Sequence, residues 1–394
     1  MKKERDSDSE KMLKSKVVVF HPALAPYRVG IFNALFDVCQ LDLVFLKKQT
    51  GGHKFDQAKL LGALLGVPSF LPTKFTLFGR GISSGIKQKI DECKPDVVIT
   101  SEFSITTWMV AFINIFKKEK YSHIIWTDDN VNLIAGDALH RKIARMVFTH
   151  LADGWFFISK EVQVYYQNVV GVKQLSTLIP VIHNEKVFRA QLELTKIDER
   201  RREIINEHEL HGKHVLIFVG RLVKLKNLDR LIKAFQLVSE ALDNSVLVIV
   251  GEGEERGHLG NLVNELGMQS RVKFVGRYEG EGLLPWYRIG NVFALASFHE
   301  CFGAVVNEAL IAGMPAVVST NVGARSLIVE GKNGTVADAS NIGEFAQALL
   351  LWLKKMGPLG KEDNIGKNLM NTEFADAVSG IDNLFQILTL EKTS

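Results

Sequence analysis

The chain has 394 residues, 46% of them hydrophobic and 23% charged, with a formal net charge of +4. That balance excludes an intrinsically disordered protein and supplies enough apolar residues for two ordinary domain cores. Three cysteines, Cys39, Cys93 and Cys301, show neither pairing nor metal-ligand spacing, which excludes a disulfide-built scaffold and points to a reducing, cytoplasmic compartment.

Residues 1–15 are strongly charged and read as a disordered tail rather than a secretory signal or membrane anchor. Short apolar runs follow at 17–20, 41–45, 97–99, 124–126 and 155–158, separated by helix-length segments. Such alternation predicts a parallel sheet covered by helices, placed within residues 16–184. The apolar window 103–116 is shorter than the ~20 residues that cross a bilayer and is expected to be a buried helix. After Pro180 the pattern breaks, and the charged stretch 196–209 lies in a linker region, 185–212. A second α/β series, at 215–219, 246–250, 272–275, 292–296 and 316–319, predicts a second doubly wound domain over 213–370. Residues 371–394 carry the apolar spacing of a helix.

Two segments of the second series carry chemistry. The run 215–219 leads into Gly220-Arg221 and, five residues later, Lys226. A guanidinium fork beside a mobile ammonium suits a diphosphate, although a solvated basic loop is the plain alternative for those residues alone. The run 292–296 leads into a loop bearing Glu300, and Glu308 falls eight residues later inside a short helix opened by Gly303. The amides of Phe302, Gly303, Ala304 and Val305 lack intrahelical acceptors and sit at the positive end of that helix, which suits a phosphate. Glu308 can then accept hydrogen bonds from sugar hydroxyls beside it. The loop Gly251-Glu252-Gly253 does not make a dinucleotide fingerprint, because its third glycine, Gly257, comes one place too late and its glutamates repel a pyrophosphate.

In order and spacing, Gly220-Arg221, Lys226, Gly251-Glu252-Gly253, Val275-Gly276, Glu300 and Glu308 resemble the retaining glycosyltransferases of family 4. The resemblance is specific over about residues 213–336 and thins toward the N-terminus. It implies an α/β GT-B fold, two Rossmann-like domains facing across a cleft, with the C-terminal helix returning to the first domain. It further implies transfer of a hexose-type sugar from a nucleoside diphosphate to an acceptor hydroxyl with retention. No cofactor or metal is expected. Glu308 would hold the ribose, Glu300 the transferred sugar, and Gly251, Gly253 and Arg277 would lie near the nucleotide. On the acceptor side, His21, Arg28 and Gly30 occupy the place of a glycine-rich loop. Arg28 there either meets a phosphate or anionic acceptor or caps the sheet edge. Asp128 and Asp129 follow a strand; binding an acceptor hydroxyl, taking its proton and capping a turn are all open roles. Asn227 stands where the family usually has glycine.

Charge is uneven, +7 over residues 1–184 and −3 over the remainder. Basic clusters at Lys47-Lys48, His53-Lys54, Lys117-Lys118-Lys120 and His140-Arg141-Lys142-Arg145 suit peripheral contact with an anionic membrane or a lipid-linked glycan acceptor. No nucleic-acid module accompanies the charge. An inverting GT-B transferase, a non-catalytic nucleotide-sugar-binding protein and a glycoside hydrolase using Glu300 and Glu308 are the rival readings.

Overall fold

The computed structural model describes residues 14–48, 55–77, 80–134, 136, 138–360 and 366–393. Most of the expected tail and the His53-Lys54 cluster lie outside them. Fifteen strands are present among the described residues. The first nine are β1 Lys16–His21, β2 Gln40–Phe45, β3 Ser69–Phe70, β4 Thr73–Leu77, β5 Arg80–Ser83, β6 Val97–Ser101, β7 Ser122–Thr127, β8 Gly154–Phe157 and β9 Leu175–Leu178. The rest are β10 His214–Val219, β11 Ser245–Val250, β12 Val272–Gly276, β13 Val292–Leu295, β14 Ala316–Ser319 and β15 Gly334–Ala337.

Seven strands form one sheet in the order β3-β2-β1-β6-β7-β8-β9, six form another in the order β12-β11-β10-β13-β14-β15, and β4 and β5 pair as a hairpin. Both large sheets are parallel throughout. Helices cover both faces, so inner strands such as VVVF and VLIFV bury on two sides and read as unbroken β-branched and aromatic runs. Each sheet reverses strand order once, between β1 and β6 and between β10 and β13. A crevice opens at such a reversal, beyond the carboxyl ends of the strands.

Residues 185–212 hold two helices, Glu185–Leu192 and Thr195–Glu207. Arg189 donates to the Ile311 carbonyl at 2.9 Å, and Asp198 pairs with Arg288 at 2.8 Å, so this segment is fastened to the second sheet's helices. The C-terminal helix, Phe374–Thr393, lies against the first sheet. Gly380 makes that approach possible, since a Cβ there would stand 2.2 Å from Thr177 Oγ1.

The 103–116 window corrects its expectation. Its helix, Ile105–Phe116, buries Thr106, Thr107, Val110 and Ala111, but leaves Trp108, Phe112, Ile115 and Phe116 exposed. Apolar residues on every side hid which face turns inward. The neighbouring helix Leu139–Leu151 likewise exposes Leu139, Ile143 and Met146. Contact between Trp108 and Phe148, ring centroids 4.8 Å apart, joins the two helices.

Candidate active site

The reversal between β10 and β13 gathers the second domain's chemistry. Phe298 N–H donates to the Leu225 carbonyl at 2.9 Å, and Asn227 Nδ2 to the Ala296 carbonyl at 3.0 Å, so the two strand-end loops are tied together. Lys226 pairs with the Glu300 carboxylate across that seam. Asn227 holds a left-handed φ of 57°, a conformation asparagine tolerates better than most residues, which accounts for asparagine in place of glycine. Arg221 is exposed and makes no hydrogen bond or ion pair among the described residues.

Gly303 turns the chain into the helix Ala304–Ile311 with φ 98°, and a Cβ there would press to 3.0 Å of Leu295 and 3.3 Å of Glu300. The first helical bond is Val306 N–H to the Gly303 carbonyl at 3.0 Å, so the amides of Phe302, Gly303, Ala304 and Val305 precede it. An open amide end, Lys226 and Glu300 thus share one seam, and Gly220, the residue before Arg221, lies against Lys226. That arrangement can bind an anion and hold hydroxyls beside it.

Glu308 is already engaged. His183 Nε2 lies 2.9 Å from its Oε1, and the Tyr287 hydroxyl donates to its Oε2. Burial raises its pKa, but the bonds from His183 and Tyr287 outweigh that and hold the carboxyl below its usual range. His183 is fixed in turn, its N–H donating to Asn307 Oδ1 at 2.8 Å.

The glycine loops have a structural cause. A Cβ on Gly251 would stand 1.8 Å from the Gly220 carbonyl oxygen, and one on Gly253 2.3 Å from that of Leu222. Both residues let the loops after β10 and β11 cross in contact, with Leu222 N–H donating to the Glu252 carbonyl at 2.9 Å. Arg277 pairs with Glu279.

The acceptor-side residues are differently placed. Arg28 is buried, stacks 4.4 Å over the Trp126 ring and pairs with half-exposed Asp128, which makes it an internal partner rather than a free phosphate ligand. His21 packs edge-on against Phe32, Phe45 and Trp126, and its Nδ1 lies 2.9 Å from the Ala23 carbonyl. Burial, reinforced by Arg28, lowers its pKa to about 4. Gly30 lies in the helix Val29–Val38, where a Cβ would meet Phe374 at 3.8 Å, so it belongs to the contact with the C-terminal helix. Asp129 is buried against Arg145, at 3.1 Å, and the Tyr166 hydroxyl. Arg145 is therefore an internal ion-pair partner and not part of a surface basic cluster.

Four residues escaped the sequence reading, Tyr287 on Glu308 among them. Glu102 follows β6 with φ 56°, accepts the Asp128 N–H at 2.7 Å and faces Arg141 at 3.4 Å. Its burial, then the Asp129 and Asp128 carboxylates, raise its pKa to about 8. His183 gave no signal beyond its place just after the break at Pro180. Asn130 donates across the cleft to the Glu300 carbonyl at 3.0 Å. Among the described residues, no three His, Cys, Asp or Glu side chains are grouped to hold a metal ion, and no helix is long and apolar enough to cross a membrane.

Residues 200–370 match the family described as Glycosyl transferases group 1. An uncharacterised glycosyltransferase of Methanocaldococcus jannaschii is 38% identical over 120 residues, 30% of this chain and 30% of the relative. The lipopolysaccharide core biosynthesis glycosyltransferase LpsE of Rhizobium meliloti is 32% identical over 135 residues, 34% of this chain and 38% of the relative. These matches span only about a third of each relative's length. Among solved structures, Anabaena HepE in complex with UDP superposes with a TM-score of 0.69 over 95% of both chains at 14% identity, which bears on fold. Residues 200–370 are thus similar to the group 1 glycosyl transferases and are set within a GT-B fold of two Rossmann-like halves.

Proposed function

We propose that this protein transfers a hexose-type sugar from a nucleoside diphosphate to an acceptor hydroxyl, with the anomeric configuration retained and without a metal or cofactor. The observation that carries the reading is the seam where Lys226 meets Glu300 beside the open amides of the Ala304–Ile311 helix. In the bond-breaking step the glycosidic oxygen leaves with the diphosphate. Arg221, Lys226 and the amides from Phe302 to Val305 stabilise the growing charge, at about 3 kcal/mol per well-placed donor. Glu300 orients the transferred sugar for attack from the leaving-group side, and Glu308, oriented by His183 and Tyr287, holds the ribose hydroxyls. Gly251, Gly253 and Arg277 border the nucleotide. Asp128 meets the acceptor hydroxyl from the first domain.

The acceptor is a lipid-linked or surface-polysaccharide intermediate at the cytoplasmic face of a membrane. HepE in complex with UDP and the lipopolysaccharide role of LpsE support donor and pathway class. The exposed faces of Ile105–Phe116 and Leu139–Leu151, with Lys118, His140 and Lys142 exposed beside them, fit an anionic bilayer by charge and apolarity together. Co-sedimentation should require anionic vesicles and weaken in Phe112→Ser/Met146→Ser.

Thermal-shift screening against UDP-, GDP- and ADP-sugars, followed by NMR of the product anomer, tests the core of the reading. One donor class should raise the melting temperature, and the product should keep the donor's anomeric configuration. No stabilisation by any nucleotide sugar overturns the donor assignment. An inverted product overturns retention and favours an inverting GT-B enzyme.

A further inference from the structure

The turn after β7 reaches into the opposite domain. Asn130 is buried, and its amide group has two distinct jobs. Its Oδ1 accepts the Asn132 N–H at 3.0 Å, closing the turn that opens the short helix Val131–Ile134. Its Nδ2 donates to the Glu300 carbonyl at 3.0 Å and to the Asn321 carbonyl at 3.4 Å, both in the second domain. The Glu300 carbonyl also receives the Gly323 N–H at 3.1 Å, so that peptide is held from both domains at once. Asn132 Nδ2 adds a bond to the Thr320 carbonyl at 2.8 Å, and Arg325 Nε one to Glu161 Oε2 at 3.2 Å.

The polarity of this contact fixes the residue type. The partners across the cleft are carbonyl oxygens, acceptors only, so the side chain must present donors there while presenting an acceptor to its own turn. A hydroxyl of similar size has one donor, too few for two carbonyls, whereas asparagine has two N–H donors and a separate acceptor. Aspartate keeps the shape and the turn acceptor, but sets a carboxylate against two carbonyls.

We propose that Asn130 is a positioning residue that couples domain closure to Glu300. It ties the loop bearing Asp128 to the backbone of the residue that orients the transferred sugar, so that acceptor and donor sides meet only in the closed arrangement. This rests on the glycosyl-transfer reading above. Asn130 touches neither Arg221 nor Lys226 and meets only the backbone of Glu300, so the grip on the diphosphate, and with it most of the donor affinity, is set without it, whereas turnover depends on it.

The test is Asn130→Asp in the full-length protein, with Asn130→Ser as a second variant. Loss of a buried donor bond of this kind lowers kcat about tenfold. Donor affinity, by calorimetry with the nucleotide sugar that stabilises the wild type, should stay within about twofold. Small-angle scattering should show a larger radius of gyration for Asn130→Asp than for wild type. Unchanged kcat and radius in Asn130→Asp overturn the proposal. So does a fall in donor affinity and melting temperature parallel to kcat, which would mark a merely structural role. If the wild type transfers no sugar at all, the functional reading fails, and the scattering comparison alone decides the latch: equal radii refute it.

Discussion

The two domains handle charge at their strand ends in opposite ways. In the first, each acid at the cleft end of β6 and β7 faces an arginine of the same domain: Glu102 with Arg141, Asp128 with Arg28, Asp129 with Arg145. In the second, Lys226 and Glu300 bridge two separate loops and Arg221 stays exposed. Buried charges closed upon themselves hold a surface in shape, whereas a helix's open amide end beside a cation-bearing loop can accept an anion. Substitutions of similar chemistry should therefore fail differently in the two halves.

The largest effect is expected at Arg145→Met. Its guanidinium is buried against Asp129 and its Nε donates to the Tyr166 hydroxyl at 2.9 Å. Removing it strands a buried carboxylate, which typically costs about 3–5 kcal/mol. Urea unfolding should show that loss. Normal stability with lost turnover would instead place Asp129 in the reaction and erase the contrast between domains.

Lys226→Gln should do the reverse. Turnover falls about 100-fold, near 3 kcal/mol of transition-state stabilisation, while the melting temperature moves little. Steady-state kinetics beside a thermal melt separates the outcomes. Destabilisation matching that of Arg145→Met would mean that the Lys226–Glu300 pair is structural.

A third contrast concerns acid. His123 is fully buried in β7, with Nε2 2.8 Å from Thr100 Oγ1, and burial lowers its pKa to about 3. The folded pKa lies below the ordinary value of about 6.5, so the neutral ring stabilises the fold above that pH, and stability is lost as pH falls below it. By pH 4 this loss is about 3 kcal/mol, from the ~2.5-unit gap. His21, lowered to about 4, adds to it over the same window. Glu308, also lowered, acts in the same direction from the second domain. His123→Gln should flatten the decline between pH 7 and 4. An unaltered slope would move acid sensitivity out of the first sheet.

This difference between domains also explains what was legible beforehand. Buried parallel strands such as β10 and β11 are continuous β-branched runs, so their positions follow from composition alone. By contrast, β3 has two residues and β9 is half-buried along its length, and neither builds such a run. Lys226 and Glu300 could be assigned to one site in advance because each lies in a loop after a strand and their order and spacing resemble those of a known family. Asn130, His183 and Tyr287 matter only through partners 170, 125 and 21 residues away, a relation that no local pattern encodes. The arginine partners of Asp128 and Asp129 were hidden for the same reason, and that is why Arg145, counted toward a surface basic cluster, is internal.

The smallest effect tests whether the departure at position 227 tunes the donor seam. Asn227→Gly removes the bond from Nδ2 to the Ala296 carbonyl, worth about 1 kcal/mol in a buried setting. It also removes Oδ1, a buried acceptor with no partner among the described residues, and relieves a left-handed backbone at φ 57°. These contributions oppose one another, so stability should change by less than about 1 kcal/mol. Asn227→Ala loses the same bond while keeping the left-handed strain, and should be the less stable of the two by about 1 kcal/mol. Melting temperatures of both variants give the order. If glycine proves as costly as alanine, the bond lost in both variants is what keeps the loop bearing Lys226 on the loop bearing Glu300, and the seam depends on this side chain more than on its backbone shape.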